Sequence, residues 1–270
     1  MATNEMRREA AKRKLANQQK RRAERARRQK QVAVISSAAA VVVVVAAVVL
    51  LTTAPWKSDP AEPAAQAAAP PGTVNCQYPA DGAAAKPANP PQADAVSNQG
   101  TVPVSLTTSA GAIGLTLDRA EAPCTVHSFT SLASQGYFDD TPCHRLTTGE
   151  GLKVLQCGDP SGQGTGGPGY TITDEPPTGL APAGQPGAVI YPRGTVAMAK
   201  TSAPNSGGSQ FFLVYADSTL PPDYTVFGTI DEAGLATIDK VAAAGTYDAN
   251  GPGDGKPKTA VTVQSATVAA

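Results

Sequence analysis

A glycine-rich turn that leads into an aromatic strand carries the side chains best suited to chemistry in this chain. Residues 204–208 read Pro-Asn-Ser-Gly-Gly and supply the backbone freedom of a tight loop. Residues 211–215 read Phe-Phe-Leu-Val-Tyr, the aromatic and β-branched composition of a strand. Because alternate residues of a strand share a face, Gln210 and Phe212 would lie together. This face would place a hydrogen-bonding amide next to a large apolar ring.

Several other strings accompany this strand at characteristic spacings. In chain order they are Cys-His-Arg-Leu at 143–146, Leu-Gln-Cys-Gly-Asp-Pro at 155–160, Gly-Thr-Gly-Gly at 164–167, Met-Ala at 198–199 and Tyr-Thr-Val-Phe-Gly at 224–228. In order and spacing they resemble the cyclophilin-type peptidyl-prolyl cis/trans isomerases. The resemblance runs from about Val102 to Val268.

The resemblance implies an all-β dominated fold, a closed eight-stranded antiparallel β-barrel capped by two α-helices. Residue patterns give the same count independently, because eight short runs of strand-forming residues are separated by turn signals. One helix is predicted to begin near Pro123 and another after Asp231. The eight predicted strands are Val102 to Thr107, Ala112 to Leu117, Thr141 to Leu146, Lys153 to Cys157, Thr195 to Ala199, Phe211 to Tyr215, Val226 to Ile230 and Ala260 to Val268.

The reaction of this family is rotation about the amide bond that precedes proline. Amide resonance sets a barrier of about 18–20 kcal/mol, so a catalyst must favour the twisted amide, in which the proline nitrogen carries a lone pair. The resemblance assigns this task to Arg145, because a guanidinium stays charged and offers several donors in one plane. No cofactor and no metal are expected.

The resemblance also assigns the other site residues. Gln156 would position Arg145 or the substrate amide, and Phe212 would form the floor of a proline pocket, so that Arg145, Gln156 and Phe212 form the catalytic set. Ala199 and Lys200 would line the groove for residues that precede the proline. The full set of expected substrate-binding residues is Val154, Ala199, Lys200, Gln210, Leu220 and Tyr224.

Three departures from the family pattern affect the site. Thr219 stands where many eukaryotic members have tryptophan, so cyclosporin is expected to bind weakly. Lys200 replaces an asparagine, which would change the electrostatics of the groove. The segment 147–152 is longer than usual, so either Leu152 or Lys153 would take the position of the family's phenylalanine, and Val154 that of its methionine.

Four cysteines lie in the part of the chain that is predicted to be outside the cytoplasm, where disulfides persist. The resemblance implies that Cys143 and Cys157 lie on adjacent strands and form one bridge, which leaves Cys76 and Cys124 for a second. A bridge beside Arg145 would make its strand more rigid. Zinc binding and four unpaired thiols are the alternatives, although the cysteine spacings match no zinc pattern.

The N-terminal region predicts a membrane anchor. Residues 1–31 carry twelve Lys and Arg against three Glu, and residues 32–54 contain no charge. An apolar stretch of about twenty residues spans a bilayer, and the basic flank places the N-terminus in the cytoplasm and the rest outside. We expect an uncleaved single-pass signal anchor, with a cleaved secretory signal as the competing interpretation. The basic segment more often contacts anionic lipid than nucleic acid.

Residues 55–99 are rich in alanine and proline and are predicted to be a disordered extracytoplasmic linker. The isomerase-like domain would then occupy residues 100–270. Four parts are thus expected, with the basic cytoplasmic segment (1–31) and the anchor (32–54) preceding the linker.

Other kinds of enzyme are poorly supported. Ser209 lacks the sharp strand-to-helix turn of a Ser-His-Asp hydrolase, and the glycines at 164–169 lack the Gly-Lys-Ser/Thr and the helix of a phosphate loop. Two functions remain: an isomerase that assists the folding of exported proteins, and a membrane-tethered module that binds proline peptides with incidental catalysis. The presence of Arg145 favours the isomerase.

Overall fold

The computed structural model describes residues 69–269 of this chain. Within that part, no helix combines the length and the apolar content needed to cross a bilayer. The predicted basic segment, the predicted anchor at 32–54 and the first part of the predicted linker lie outside the described residues.

Short strands and two helices make up the described part of the chain, and every predicted strand and helix is present close to its expected position. The helices are α1 (Pro123–Ser134) and α2 (Glu232–Ala243). The strands are β1 (Thr73–Val74), β2 (Val96–Ser97), β3 (Thr101–Thr108), β4 (Gly111–Asp118), β5 (Thr141–Pro142), β6 (Arg145–Thr147), β7 (Val154–Cys157), β8 (Val189–Tyr191), β9 (Thr195–Met198), β10 (Phe211–Val214), β11 (Ser218–Leu220), β12 (Val226–Ile230), β13 (Asp254–Gly255) and β14 (Thr262–Val268).

Ten of these strands form one antiparallel sheet in the order β13-β6-β7-β10-β9-β12-β4-β3-β14-β5. The strands β5 and β6 belong to one continuous run, 141–147, which pairs with β14 at its start and with β7 at its end. This run therefore joins the two sides of the sheet and closes it into a barrel. Counted as one strand, it gives the eight strands that were expected, with β13 as a short addition beside β6.

Side chains along β10 alternate between the barrel interior and its outer surface, as the two-residue period of a strand requires. Phe211 and Leu213 are fully buried in the main core, where Phe211 packs edge-on against Phe129 of α1 with ring centroids 5.2 Å apart. Phe212 and Val214 belong to a second, separate apolar cluster. One short strand thus serves both the core and an external pocket.

The two helices pack against the barrel and are stabilised at their N-termini. Pro123 occupies the first turn of α1, where its missing N–H costs no hydrogen bond. The amides of the next two residues, Cys124 among them, donate to the carboxylate of Glu175. The carboxylate of Asp231 caps α2 by accepting from the Gly234 amide at 2.6 Å.

Residues 69–99 differ from the disordered linker that their composition predicted, and we call them the N-terminal strap. The strands β1 and β2 pair with each other within the strap, and Cys76 and Val96 are buried in the main core. The ammonium of Lys86 donates to the carbonyls of Gly136 (2.7 Å) and Asp139 (2.9 Å), just beyond α1.

The strap is ordered although it contains few large apolar residues, because a few specific contacts hold it against the rest of the domain. The domain therefore begins well before residue 100. The ordered part of the predicted linker is a component of the folded unit.

Two disulfides stabilise the domain: Cys143–Cys157 is the pair that the resemblance implied, and Cys76–Cys124 is the pair that remained. Cys76 in the strap is bonded to Cys124 in α1, with Cα atoms 5.5 Å apart. Cys143, two residues before β6, is bonded to Cys157 at the end of β7, with Cα atoms 3.9 Å apart. Since such bonds persist in oxidising compartments, they indicate an extracytoplasmic domain.

Removing either disulfide should destabilise the domain by a predictable amount. The chain-entropy model gives about 4 kcal/mol for Cys76–Cys124 and about 3 kcal/mol for Cys143–Cys157, because the first closes a loop of 48 residues and the second one of 14. Urea unfolding of the full-length chain in mild detergent, followed by circular dichroism, should show these losses in the paired Cys→Ser variants. Losses below about 1 kcal/mol in both would contradict this assignment of stability.

Candidate active site

Three of the predicted site residues, together with Ala197, form a row across adjacent strands on the outside of the barrel. Arg145 of β6 pairs with Gln156 of β7, Gln156 pairs with Phe212 of β10, and Phe212 pairs with Ala197 of β9. Residues that are paired across strands point to the same face of a sheet. The sheet register therefore brings the cation, the amide and the aromatic ring together from distant parts of the sequence.

The second apolar cluster surrounds Phe212 and forms a pocket at one end of this row. Phe212 is 5% exposed, and the ring of Tyr224 stands edge-on to it with centroids 5.6 Å apart. Val154 is buried beside it, and Leu220 and Leu152 pack against the same cluster. The pocket has the apolar walls that a proline ring requires.

A buried tyrosine supports this pocket from below. Tyr191 is fully buried, and its single hydroxyl proton is shared between the carbonyls of Pro221 and Tyr224, both at 3.1 Å. The Tyr224 amide donates in turn to the Tyr191 oxygen. Burial raises the pKa of Tyr191 to about 12, so the hydroxyl stays protonated and keeps both bonds at neutral pH. These bonds fix the backbone of Tyr224, whose ring borders the pocket.

Arg145 is held at the other end of the row by a carboxylate from a distant loop. Asp254 accepts from Nε of Arg145 at 2.8 Å and from Nη2 at 2.7 Å, which is a two-bond fork. The strand β13 positions this carboxylate, because Asp254 pairs with Thr147, two residues along β6 from Arg145. The Asn250 amide donates to the same carboxylate at 3.2 Å.

The fork determines which donors of the guanidinium are available to a substrate. Nε and one N–H of Nη2 are committed to Asp254, whereas Nη1 points along the row and meets Gln156 Oε1 at 3.4 Å. The hydrogen bonds to Asp254 raise the pKa of Arg145, and those from Arg145 hold the pKa of Asp254 below its usual value. Both groups are therefore charged throughout the neutral range.

A chain of amide hydrogen bonds leads from Gln156, beside Arg145, to the glycine-rich loop at 164–169. Gln156 Nε2 donates to Gln210 Oε1 at 3.0 Å, and Gln210 Nε2 donates to the Gly166 carbonyl at 3.0 Å. Each amide is oriented by its neighbour, so a continuous chain of hydrogen bonds joins the glycine-rich loop at 164–169 to the guanidinium of Arg145. This geometry suits Gln156 for orienting Arg145.

A buried carboxylate shapes the glycine-rich loop. Asp159 is fully buried and accepts from the amides of Ser161, Gly164 and Gly166. Burial alone would raise the pKa of Asp159, but the hydrogen bonds outweigh it and hold the pKa below its usual value. A Cβ at Gly166 would lie 2.0 Å from the Asp159 oxygen, so only glycine allows this close approach.

The structure places the remaining predicted residues as follows. Ala199 packs beside the pocket, and its amide donates to the Gln210 carbonyl at 2.9 Å. Leu152 packs against the apolar cluster. Lys200 is not part of the apolar cluster and forms an ion pair with Asp174 at 2.7 Å. The Asp174 carboxylate therefore neutralises the positive charge that Lys200 was expected to add to the groove.

Comparison with known proteins identifies the family of this chain. The family model described as cyclophilin type peptidyl-prolyl cis-trans isomerase/CLD matches residues 103–268, more than half of the chain. The chain belongs to the cyclophilin family. The matched span begins after the strap.

Named relatives and a solved structure show the same likeness. The chain is 57% identical over 197 residues to the "Probable peptidyl-prolyl cis-trans isomerase B" of Mycobacterium leprae, covering 71% of this chain and 66% of the relative. It is 55% identical to the protein of the same description from Mycobacterium tuberculosis, covering 71% and 63%. The chain thus spans slightly less than two thirds of the length of these relatives.

The crystal structure of a Cryptosporidium parvum cyclophilin type peptidyl-prolyl cis-trans isomerase matches with a TM-score of 0.50 and 25% identity. The match covers 63% of this chain and 99% of that one. The matched part of this chain therefore has the same fold as that crystal structure.

Loss of the Asp254 carboxylate should impair catalysis more than binding. We expect Asp254→Asn to lower kcat for an Ala-Pro peptide by about 10- to 100-fold, because the guanidinium loses its fixed orientation, while KM changes little. Asp239→Asn is the matched control, since Asp239 forms an equivalent fork with Arg193 away from the site. Equal effects of the two substitutions, or none from Asp254→Asn, would contradict this role.

The pH dependence should identify the same carboxylate. The hydrogen bonds from Arg145 hold the pKa of Asp254 in the folded protein below the ordinary carboxyl pKa. The ion pair is therefore intact at any pH above the ordinary carboxyl pKa, and it is lost only as the pH falls through the lower pKa of the folded protein. We expect kcat to be constant from neutral pH down to about 4 and to fall below that. The acidic fall should be absent from Asp254→Asn, with circular dichroism confirming that both proteins stay folded.

The Cys143–Cys157 bridge should support the row directly. Cys143 lies two residues before Arg145, and Cys157 follows Gln156, so the bridge joins the two strands that hold both side chains. A Cys143→Ser/Cys157→Ser variant should lose several-fold in kcat at temperatures where it remains folded, whereas Cys76→Ser/Cys124→Ser serves as the comparison for general loss of stability. An unchanged kcat in the first variant would rule out the positioning role.

Proposed function

We propose that this chain catalyses cis/trans isomerisation of X-Pro bonds in extracytoplasmic proteins and so assists their folding. The observation that carries the proposal is the row in which the Arg145 guanidinium, fixed by Asp254, stands two strands away from the apolar pocket around Phe212. A proline ring in that pocket would place its amide bond beside the free donors of Arg145. The mycobacterial relatives carry the description of such isomerases.

The proposed mechanism is electrostatic and requires no proton transfer. Rotation about the amide removes its resonance and leaves a lone pair on the proline nitrogen, which a guanidinium N–H can stabilise. Nη1 of Arg145 is the donor suited to this task, since the other side of the fork is engaged by Asp254. Because the planar ground state lacks that lone pair, the bond favours the transition state selectively.

The energy required is within reach of one positioned charge and an apolar pocket. Raising a rate of roughly 0.01–0.1 per second to about a thousand per second needs about 5–7 kcal/mol of differential stabilisation. Removal of a single preorganised donor costs about 3–4 kcal/mol in other enzymes. Orientation of the substrate by the Phe212 pocket and the amide chain would supply the remainder.

We further propose that the domain is held at the outer face of a membrane by residues 32–54, with residues 1–31 in the cytoplasm. The apolar run and its basic flank support this arrangement. The two disulfides agree with an oxidising compartment. Exported chains that have not finished folding would then be the substrates.

The test is exchange NMR on an Ala-Pro peptide with the full-length chain in detergent micelles. The wild type should accelerate cis/trans exchange, and Arg145→Ala should lower kcat/KM by about 100- to 1,000-fold with a nearly unchanged dissociation constant for the peptide. Arg145→Lys should also be impaired, because an ammonium cannot form the two-bond fork with Asp254.

Two results would contradict the proposal. Full activity in Arg145→Ala would remove the guanidinium from the mechanism. Binding shifts without accelerated exchange in the wild type would mean that the domain only holds proline peptides, which is the tethered binding module that the sequence left open.

A further inference from the structure

The N-terminal strap lies directly against the glycine-rich loop of the site. Ala80 pairs with Tyr170 in an antiparallel bridge, and the amides of Asp81 and Ala85 donate to the carbonyls of Gly169 and Gly167, both at 2.9 Å. These bonds are between main-chain atoms and run along one continuous edge. The strap therefore extends the wall of the barrel beside Gln210, whose amide is bonded to the same loop.

A groove of about 670 Å³ lies between the strap and the barrel. It is lined by Asp81, Gly82 and Ala83 of the strap and by Lys200 and Ser206, among others, of the barrel domain. Gln156, Gln210 and Ala199 also line the groove, so its near end opens at the row described above. A peptide whose proline occupied the Phe212 pocket would pass a flanking residue into this groove.

The charges of the groove are unequal. Asp81 and Lys200 are the two charged residues that line it in the described part of the chain. Lys200 is 10% exposed and paired with Asp174, whereas Asp81 is exposed. Among residues 69–269, the Asp81 carboxylate has no ion pair and no hydrogen bond. The strap therefore gives the groove an unpaired negative charge, whereas the charge of Lys200 is neutralised by Asp174.

We propose that Asp81 of the strap selects a basic side chain in the part of the substrate that flanks the proline and lies in this groove. The inference rests on the proposed isomerase function and specifies its substrates. The selecting residue comes from outside the span 103–268 that the family model matches.

The strap is not peculiar to this chain. The alignment with the Mycobacterium leprae relative covers 71% of the chain, more than residues 103–268 account for. Only two residues follow 268, so the additional aligned residues precede 103. Part of the strap is therefore included in that alignment.

The test compares kcat/KM for proline peptides that carry Lys, Ala or Glu at each position from two to four residues before or after the proline. The full-length chain is used as wild type, Asp81→Lys and Asp94→Lys. Asp94 is the matched control, because it lies on the same strap and is exposed but does not line the groove. Turnover of the Ala peptides reports the isomerase itself, and the Lys/Glu ratio reports the subsite.

At one position or more, the wild type should prefer Lys over Glu by about threefold, the size expected for a solvent-exposed ion pair. Asp81→Lys should reverse this preference, Asp94→Lys should retain it, and added salt should weaken it in the wild type. Turnover of the Ala peptides with a Lys/Glu ratio near one at every position would overturn the subsite while leaving the isomerase intact. A preference that survives Asp81→Lys would equally overturn the assignment to Asp81.

Discussion

The two-bond fork between Arg145 and Asp254 is the constraint on which the site depends. An arginine on the outside of a sheet is ordinarily a mobile charge, because its long side chain loses considerable entropy when it is fixed. Here the carboxylate takes Nε and Nη2 and leaves Nη1 directed along the row. The short pairing of β13 with β6 places the Asp254 carboxylate beside Arg145. The Cys143–Cys157 disulfide links the segment just before β6 to the end of β7.

The two-residue period of the strands lets one barrel carry both a core and a site. Leu146, Leu155, Phe211 and Val196 point inward and fill the interior, while their neighbours in sequence form the outer row. A shift of one residue in any register would exchange the two sets. The stability of the core therefore fixes the geometry of the site, and no separate scaffold is required.

Much of this organisation could be predicted from local strings. The strands and both helices were predictable because they lie in short segments with strong turn and strand signals, whereas the roles of Arg145 and Phe212 were predicted from the family resemblance. Asp254 was not, since it lies in a glycine-rich segment, 109 residues from Arg145 in sequence, with no pattern of its own. Tyr191 was missed because β8 has only three residues. The strap was misjudged because composition does not register the hydrogen bonds of Lys86 to two carbonyls or the burial of Val96 in the main core.

The most direct measurement is a crystal structure of the chain with a bound Ala-Pro peptide. The account predicts the proline ring on Phe212, bordered by Val154 and Leu220, with Nη1 of Arg145 within hydrogen-bonding distance of the proline amide and the fork to Asp254 intact. A proline ring bound away from Phe212, or a guanidinium that leaves Asp254 and turns from the peptide, would contradict it.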